Sequence, residues 1–98
     1  MALEFSREKN PAPASDERRA EILADPGFGD YFTDHMVSID WNGDYKTGGE
    51  WSNARVHAYG PLSLDPAAAV FHYGQEIFEG IKGYRHSDGS VWTFRPEK

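Results

Sequence analysis

Cysteine is absent from the 98 residues, which rules out disulfide cross-links and thiolate metal cages and fits a reducing compartment. Positive charge is scarce. Ten Lys and Arg face sixteen Asp and Glu, and the net charge of −6 repels phosphate backbones and anionic lipid surfaces. Nucleic-acid and membrane partners are therefore not expected. No apolar run is long enough to span a bilayer, and the opening MALEFSREKNPAPASDERR has charges where a signal peptide needs its apolar stretch, so a cytoplasmic protein is expected. Length is short as well: 98 residues hold at most one domain, which excludes a large two-lobed enzyme. Rings are plentiful, at 14% of residues, and each can bury roughly 150–250 Å². A few aromatic side chains can then account for much of what the chain buries.

The polar start, with Pro11 and Pro13, reads as an extended arm with little order of its own. SDERRAEILADPG carries helix signals: Ser15 as N-cap, Asp16 and Glu17 at the positive end, and Pro26-Gly27 as the stop. HMVSIDW alternates, with Val37, Ile39 and Trp41 on one face, as a half-buried strand does. The glycine-rich Asn42–Asn53 reads as a loop, and ARVHAYGP as a second strand ended by Gly60-Pro61. Asp65 and Pro66 then open a helix expected to run to about Phe78, with Val70, Tyr73 and Ile77 in one apolar row and Phe71 and Phe78 beside it. Gly74 inside it costs about 1 kcal/mol relative to alanine. IKGYRH and VWTFRP form a hairpin about Asp88-Gly89, which places Arg85 opposite Trp92 and Gly83 opposite Phe94. The order of elements predicts an α+β fold with mainly antiparallel strands and one or two helices. FRPEK follows a strand with no helix to cover the sheet, so a truncated domain is expected.

Several chemical patterns have ordinary readings that outweigh them. His72 and Glu76 sit one helical turn apart but lack a third ligand, so a solvated helix face is preferred to a metal site. The same reading covers Glu76 with Glu79 as a carboxylate pair. TGGEW has no helix after it to capture phosphate. Phe28, held between Gly27 and Gly29 on a loop, is either a plug on a local core or a ligand contact, and spacing does not decide between them.

In FGDYFTDHMVSIDW, YGPLSLDPAAAVFHYGQEIFEGIKGYRH and DGSVWTFRPEK, the chain from about Pro26 to Lys98 resembles the opening of a branched-chain amino-acid aminotransferase, a pyridoxal-phosphate enzyme of fold type IV. Residues 1–25 then read as an arm and short helix, and the resemblance implies that 26–98 are the N-terminal part of an incomplete small domain. It implies that Phe28, Tyr73 and Phe78 line the substrate side-chain pocket, where rigid apolar walls suit a branched aliphatic group. It also implies amino transfer between leucine, isoleucine or valine and 2-oxoglutarate, with glutamate sharing the site, in an enzyme that dimerises when full length. The Schiff-base lysine and the cofactor's phosphate arginine fall beyond the matched segment. No catalytic, cofactor-binding or metal-binding residue is therefore assigned in this chain, and pyridoxal phosphate is not expected to bind it. Gly83 departs from the alanine common among relatives at that strand position. The alternative is a stand-alone, non-catalytic α+β binding or structural module.

Overall fold

A computed structural model describes residues 3–94. The chain divides into two compact units, Met1–Leu62 and Ser63–Lys98. With one α-helix and two small sheets, the architecture is α+β, as the sequence predicts.

In the first unit, β1 (Ser6–Arg7), α1 (Asp16–Ala24), β2 (His35–Asp44) and β3 (Gly48–Ala58) follow one another. The sheet order is β1-β3-β2, with β1 parallel to β3 and β2 antiparallel to it. The helix starts where its cap requires. Ser15 is extended at ψ 158°, and its Oγ accepts the Arg18 N–H at 3.1 Å, satisfying one of the unpaired first-turn donors. The arm has more order than its composition predicts, because it borrows the sheet: Glu8 N–H donates to the Val56 carbonyl at 2.9 Å beside the Ser6–Arg55 and Arg7–Val56 pairs.

The expected loop over Asn42–Asn53 is instead the far end of a long hairpin. Trp41 pairs with Trp51, Asn42 with Glu50, Gly43 with Gly49 and Asp44 with Gly48, leaving only a short turn. Asp44 holds that turn by accepting the N–H groups of Lys46 and Thr47 at 2.7 and 2.8 Å. The glycines serve close approach here. A Cβ on Gly49 would collide with the Asn42 carbonyl oxygen and Gly43 Cα, and one on Gly43 with the Gly48 carbonyl. Nearer the centre the register slips between Ser38 and Asp40, so Asn53 and Ala54 together oppose Ile39 in a β-bulge. Asn53 takes the left-handed conformation at φ 51°, which asparagine tolerates better than most residues. Asp40 ties the bulge by accepting from Asn53 Nδ2 at 2.9 Å and Arg55 at 3.3 Å. Ala54, at 4% exposure, is the one buried hydrophobic residue among the described residues.

In the second unit, the helix expected over Pro66–Phe78 does not form. A single 3-10 turn at Ala69–Phe71 stands in its place. Asp65 does cap, its Oδ1 accepting the Ala67 N–H at 2.7 Å, but Ala68 is extended at ψ 137° and Gly74 is left-handed at φ 61°. Between these breaks the 3-10 bonds are joined by one α-type bond, Tyr73 N–H to the Ala69 carbonyl at 2.8 Å. Of the expected apolar row, Tyr73 and Ile77 are exposed at 80% and 94%, and a helix of that length without a packing partner is marginal in water. The hairpin of β4 (Gly83–Arg85) and β5 (Val91–Thr93) forms in a register shifted by one residue, with Tyr84 opposite Trp92, Arg85 opposite Val91 and Gly83 opposite Thr93. The turn causes the shift. His86 N–H donates to the Ser90 carbonyl at 2.8 Å, and Gly89 is left-handed at φ 87°, so the loop has three residues ending in a glycine bulge instead of two centred on Asp88-Gly89.

Candidate functional site

The three residues singled out as pocket wall stand on irregular backbone. Phe28 lies in the first unit between two left-handed glycines, Gly27 at φ 65° and Gly29 at φ 74°. Two such residues throw the intervening side chain outward, and its ring is 92% exposed. Phe28 is therefore no plug on a local core. Tyr73 and Phe78 lie in the second unit, at 80% and 89% exposure, the former just past the 3-10 turn and the latter in the irregular stretch that replaces the helix. No helix holds these rings, contrary to the expectation. His72 Nε2 lies 2.8 Å from the Pro66 carbonyl, and among the described residues no cluster of three His, Asp or Glu could hold a metal ion.

The first unit contains a concavity that sequence reasoning missed. A cavity of about 390 Å³ opens between α1 and the start of β2, lined by Ile22, Leu23 and Phe32 with Arg19, Asp34 and His35. Its position follows from Asp34, the acid in FTDHM. Its Oδ1 accepts the Ala14 N–H at 2.9 Å and its Oδ2 accepts from Arg19 at 3.1 Å, so one carboxylate fastens both the helix and the chain before it to the edge of the sheet. The Ala14 N–H first and the Arg19 guanidinium second hold this carboxyl below its ordinary range. Arg19 also donates to Asp16 Oδ1 at 2.9 Å and to the Ala14 carbonyl at 3.1 Å. The cavity thus offers apolar surface beside an ion pair that is already satisfied. The one available signal was an acid directly before a strand and an arginine in the first turns of a preceding helix, a pattern too common to single out.

The described residues that line the cavity do not fit pyridoxal phosphate. A covalent seat needs a lysine aimed into a cavity and a cation free for phosphate. Among the described residues, Lys46 and Lys82 lie over the exposed faces of Tyr45 and Tyr84 at 5.6 and 5.2 Å, and Lys9 sits on the arm. None of the three lines the cavity, and Arg19, which does, is engaged by two carboxylates. Among the described residues no helix is long and apolar enough to cross a membrane.

No family model matches the chain. Individual relatives do. The chain is 59% identical over 95 residues to a branched-chain-amino-acid aminotransferase of Mycolicibacterium smegmatis, covering 97% of the chain and 25% of the relative. It is 52% identical over 96 residues to one of Mycobacterium tuberculosis, covering 98% of the chain and 25% of the relative. A mitochondrial branched-chain-amino-acid aminotransferase of Saccharomyces cerevisiae is 43% identical over 90 residues, covering 92% of the chain and 21% of the relative. The chain spans about a quarter of the length of these relatives, at their N-terminal part.

Proposed function

The chain belongs with the branched-chain-amino-acid aminotransferases as a homologue of their N-terminal portion, and from that premise we propose that it supplies the substrate-side wall of such an enzyme. The wall consists of Phe28, Tyr73 and Phe78, and the chain carries none of the reactive groups. The observation behind this reading is that all three rings stand open, at 92%, 80% and 89% exposure, on backbone that gives them no packing partner. Exposed apolar side chains mark a covered surface where they form one contiguous patch, and in this proposal the three rings belong to one. Polypeptide equivalent to the remaining three quarters of the relatives would cover these rings.

A dry pocket of rings suits the forked side chains of leucine, isoleucine and valine, and a methylene more or less is worth only about 1–3 kcal/mol there. Broad preference among the three follows. The amino acceptor is 2-oxoglutarate, and the Tyr73 hydroxyl at the rim serves glutamate, the more polar partner that shares the site. Pyridoxal phosphate, when bound to the complete enzyme, supplies the electron sink for amino transfer. This chain's residues only exclude water and fix the side chain. The complete enzyme is a cytoplasmic homodimer in this account.

The test has two arms. The chain alone is incubated with pyridoxal phosphate, reduced with borohydride, weighed intact and assayed with leucine and 2-oxoglutarate; no specific label and no turnover are expected. The same 98 residues replacing the matching quarter of the Mycolicibacterium smegmatis enzyme are expected to give an active transaminase. Specific labelling of one lysine with turnover by the chain alone overturns the proposal, as does a folded chimera with no activity.

A further inference from the structure

We propose that His35 is a proton-sensitive latch for the N-terminal arm, which closes on the sheet while the imidazole accepts a hydrogen bond from Asn10 and opens when that nitrogen is protonated. Asn10 N–H donates to His35 Nε2 at 3.0 Å, across twenty-five residues of chain, and both residues are half-buried. The arrangement requires the neutral ring with its proton on Nδ1. The Asn10 side chain completes the seat, Nδ2 donating to the Asp34 carbonyl at 2.9 Å and Oδ1 accepting the Ala12 N–H at 2.8 Å. Two residues earlier, Glu8 N–H reaches the Val56 carbonyl at 2.9 Å, and β1 lies along the outer edge of β3.

Histidine is the side chain that ordinarily changes charge between pH 5 and 8. A proton on Nε2 turns the acceptor into a donor that faces another donor, so the bond is lost and the Asn10 N–H is left unpaired. The charged groups around the ring come from several elements. Asp34 precedes it on the chain, with its carboxylate held by Arg19 of α1, and Arg19 lines the same cavity as the ring. On the arm, Lys9 and Glu8 directly precede Asn10. On β3, uncharged Ala58 pairs with His35, and His57 comes next. The nearest carboxylate, Asp34, already accepts from the Ala14 N–H and Arg19 with its two oxygens. Release of the arm frees the Val56 carbonyl and leaves the outer edge of β3 open to strand addition.

The experiment uses the whole ¹⁵N-labelled chain between pH 8 and pH 5. Ring signals report protonation of His35, and amide exchange corrected for its intrinsic pH dependence reports the arm. Protection of the Glu8 amide is expected to fall about tenfold as the His35 ring takes up its proton, with the Asn10 amide resonance moving at the same midpoint. His35→Gln, whose side-chain oxygen accepts without titrating, is expected to keep the arm protected at both pH values, and His35→Ala to leave it unprotected at both. Constant Glu8 protection through the ring titration overturns the proposal. So does an unprotected arm in the unsubstituted chain at pH 8, or opening of the His35→Gln arm at the unsubstituted midpoint. If neither variant folds, the unsubstituted titration alone decides.

Discussion

Replacing Gly49 with alanine should damage the main hairpin far more than any other glycine substitution in the first unit chosen for comparison. Strands pair about 4.7–4.9 Å apart, which ordinarily leaves a Cβ room to stand clear of the sheet. At Gly49 it does not, because an added Cβ falls against the Asn42 carbonyl oxygen and Gly43 Cα, both backbone atoms that no side-chain rotation can move. Overpacking usually costs about 1–3 kcal/mol when side chains can yield, and with only backbone to yield Gly49→Ala should reach about 3 kcal/mol, at the top of that range. Two glycines give the controls. Gly48 has φ 81° with nothing within 4 Å, so alanine there meets only left-handed backbone strain, about 1 kcal/mol. Gly60 has open space and no positive φ, and alanine there should be neutral or stabilising by up to about 1 kcal/mol through the unfolded chain. The assay is urea unfolding followed by the circular-dichroism couplet of Trp41 and Trp51, whose rings lie 5.1 Å apart on this hairpin. The expected order of loss is Gly49→Ala, then Gly48→Ala, then Gly60→Ala. Equal stability of Gly49→Ala and Gly60→Ala would refute the close pairing of Gly43 with Gly49.

Further outcomes follow from the caps, carboxylates and breaks. Ser15→Ala should cost α1 about 1 kcal/mol, seen as faster exchange of the Arg18 amide. Asp34 is held below its ordinary value by the Ala14 N–H and Arg19, and Asp40 by Asn53 and Arg55. Stability from such lowered carboxyls is complete above about pH 3.9 and is lost as pH falls through their folded values. The tryptophan couplet should therefore fade on acidification below that point, and Asp34→Asn with Asp40→Asn should flatten this limb; an unchanged limb contradicts the two anchoring roles. Gly74→Ala removes the residue best suited to the left-handed break and adds about 1 kcal/mol of helix propensity, so far-ultraviolet helix signal should rise.

Elements with local causes were legible. Ser15 and the acids after it start α1, alternation marks β2, and Gly60-Pro61 ends the strand before it. Where glycine served a different purpose, the reading failed. Between Asn42 and Asn53 it allows two backbones to meet, yet in sequence it looks like a loop, and Trp51 was lost to the sheet with it. The same ambiguity shifted the second hairpin by one residue, since Gly89 closes a three-residue loop as readily as a two-residue one. The Pro66–Phe78 helix carried a good start signal, but its apolar row requires a surface to lie on. The tie of Asp34 and His35 to the arm is tertiary, spanning twenty and more residues, and no local pattern announces it. For Phe28, Tyr73 and Phe78, the family resemblance implied a shared pocket wall, and the structure shows each ring exposed.

The most direct measurement is the substrate preference of the chimera in which this chain replaces the first quarter of the Mycolicibacterium smegmatis enzyme. Phe28, Tyr73 and Phe78 are each replaced with alanine, and kcat/KM is measured for leucine and, as reference, for a short unbranched amino acid. If the three rings form the wall, each replacement lowers kcat/KM for leucine about tenfold or more relative to the reference. Unchanged leucine preference in all three folded variants would contradict the assignment.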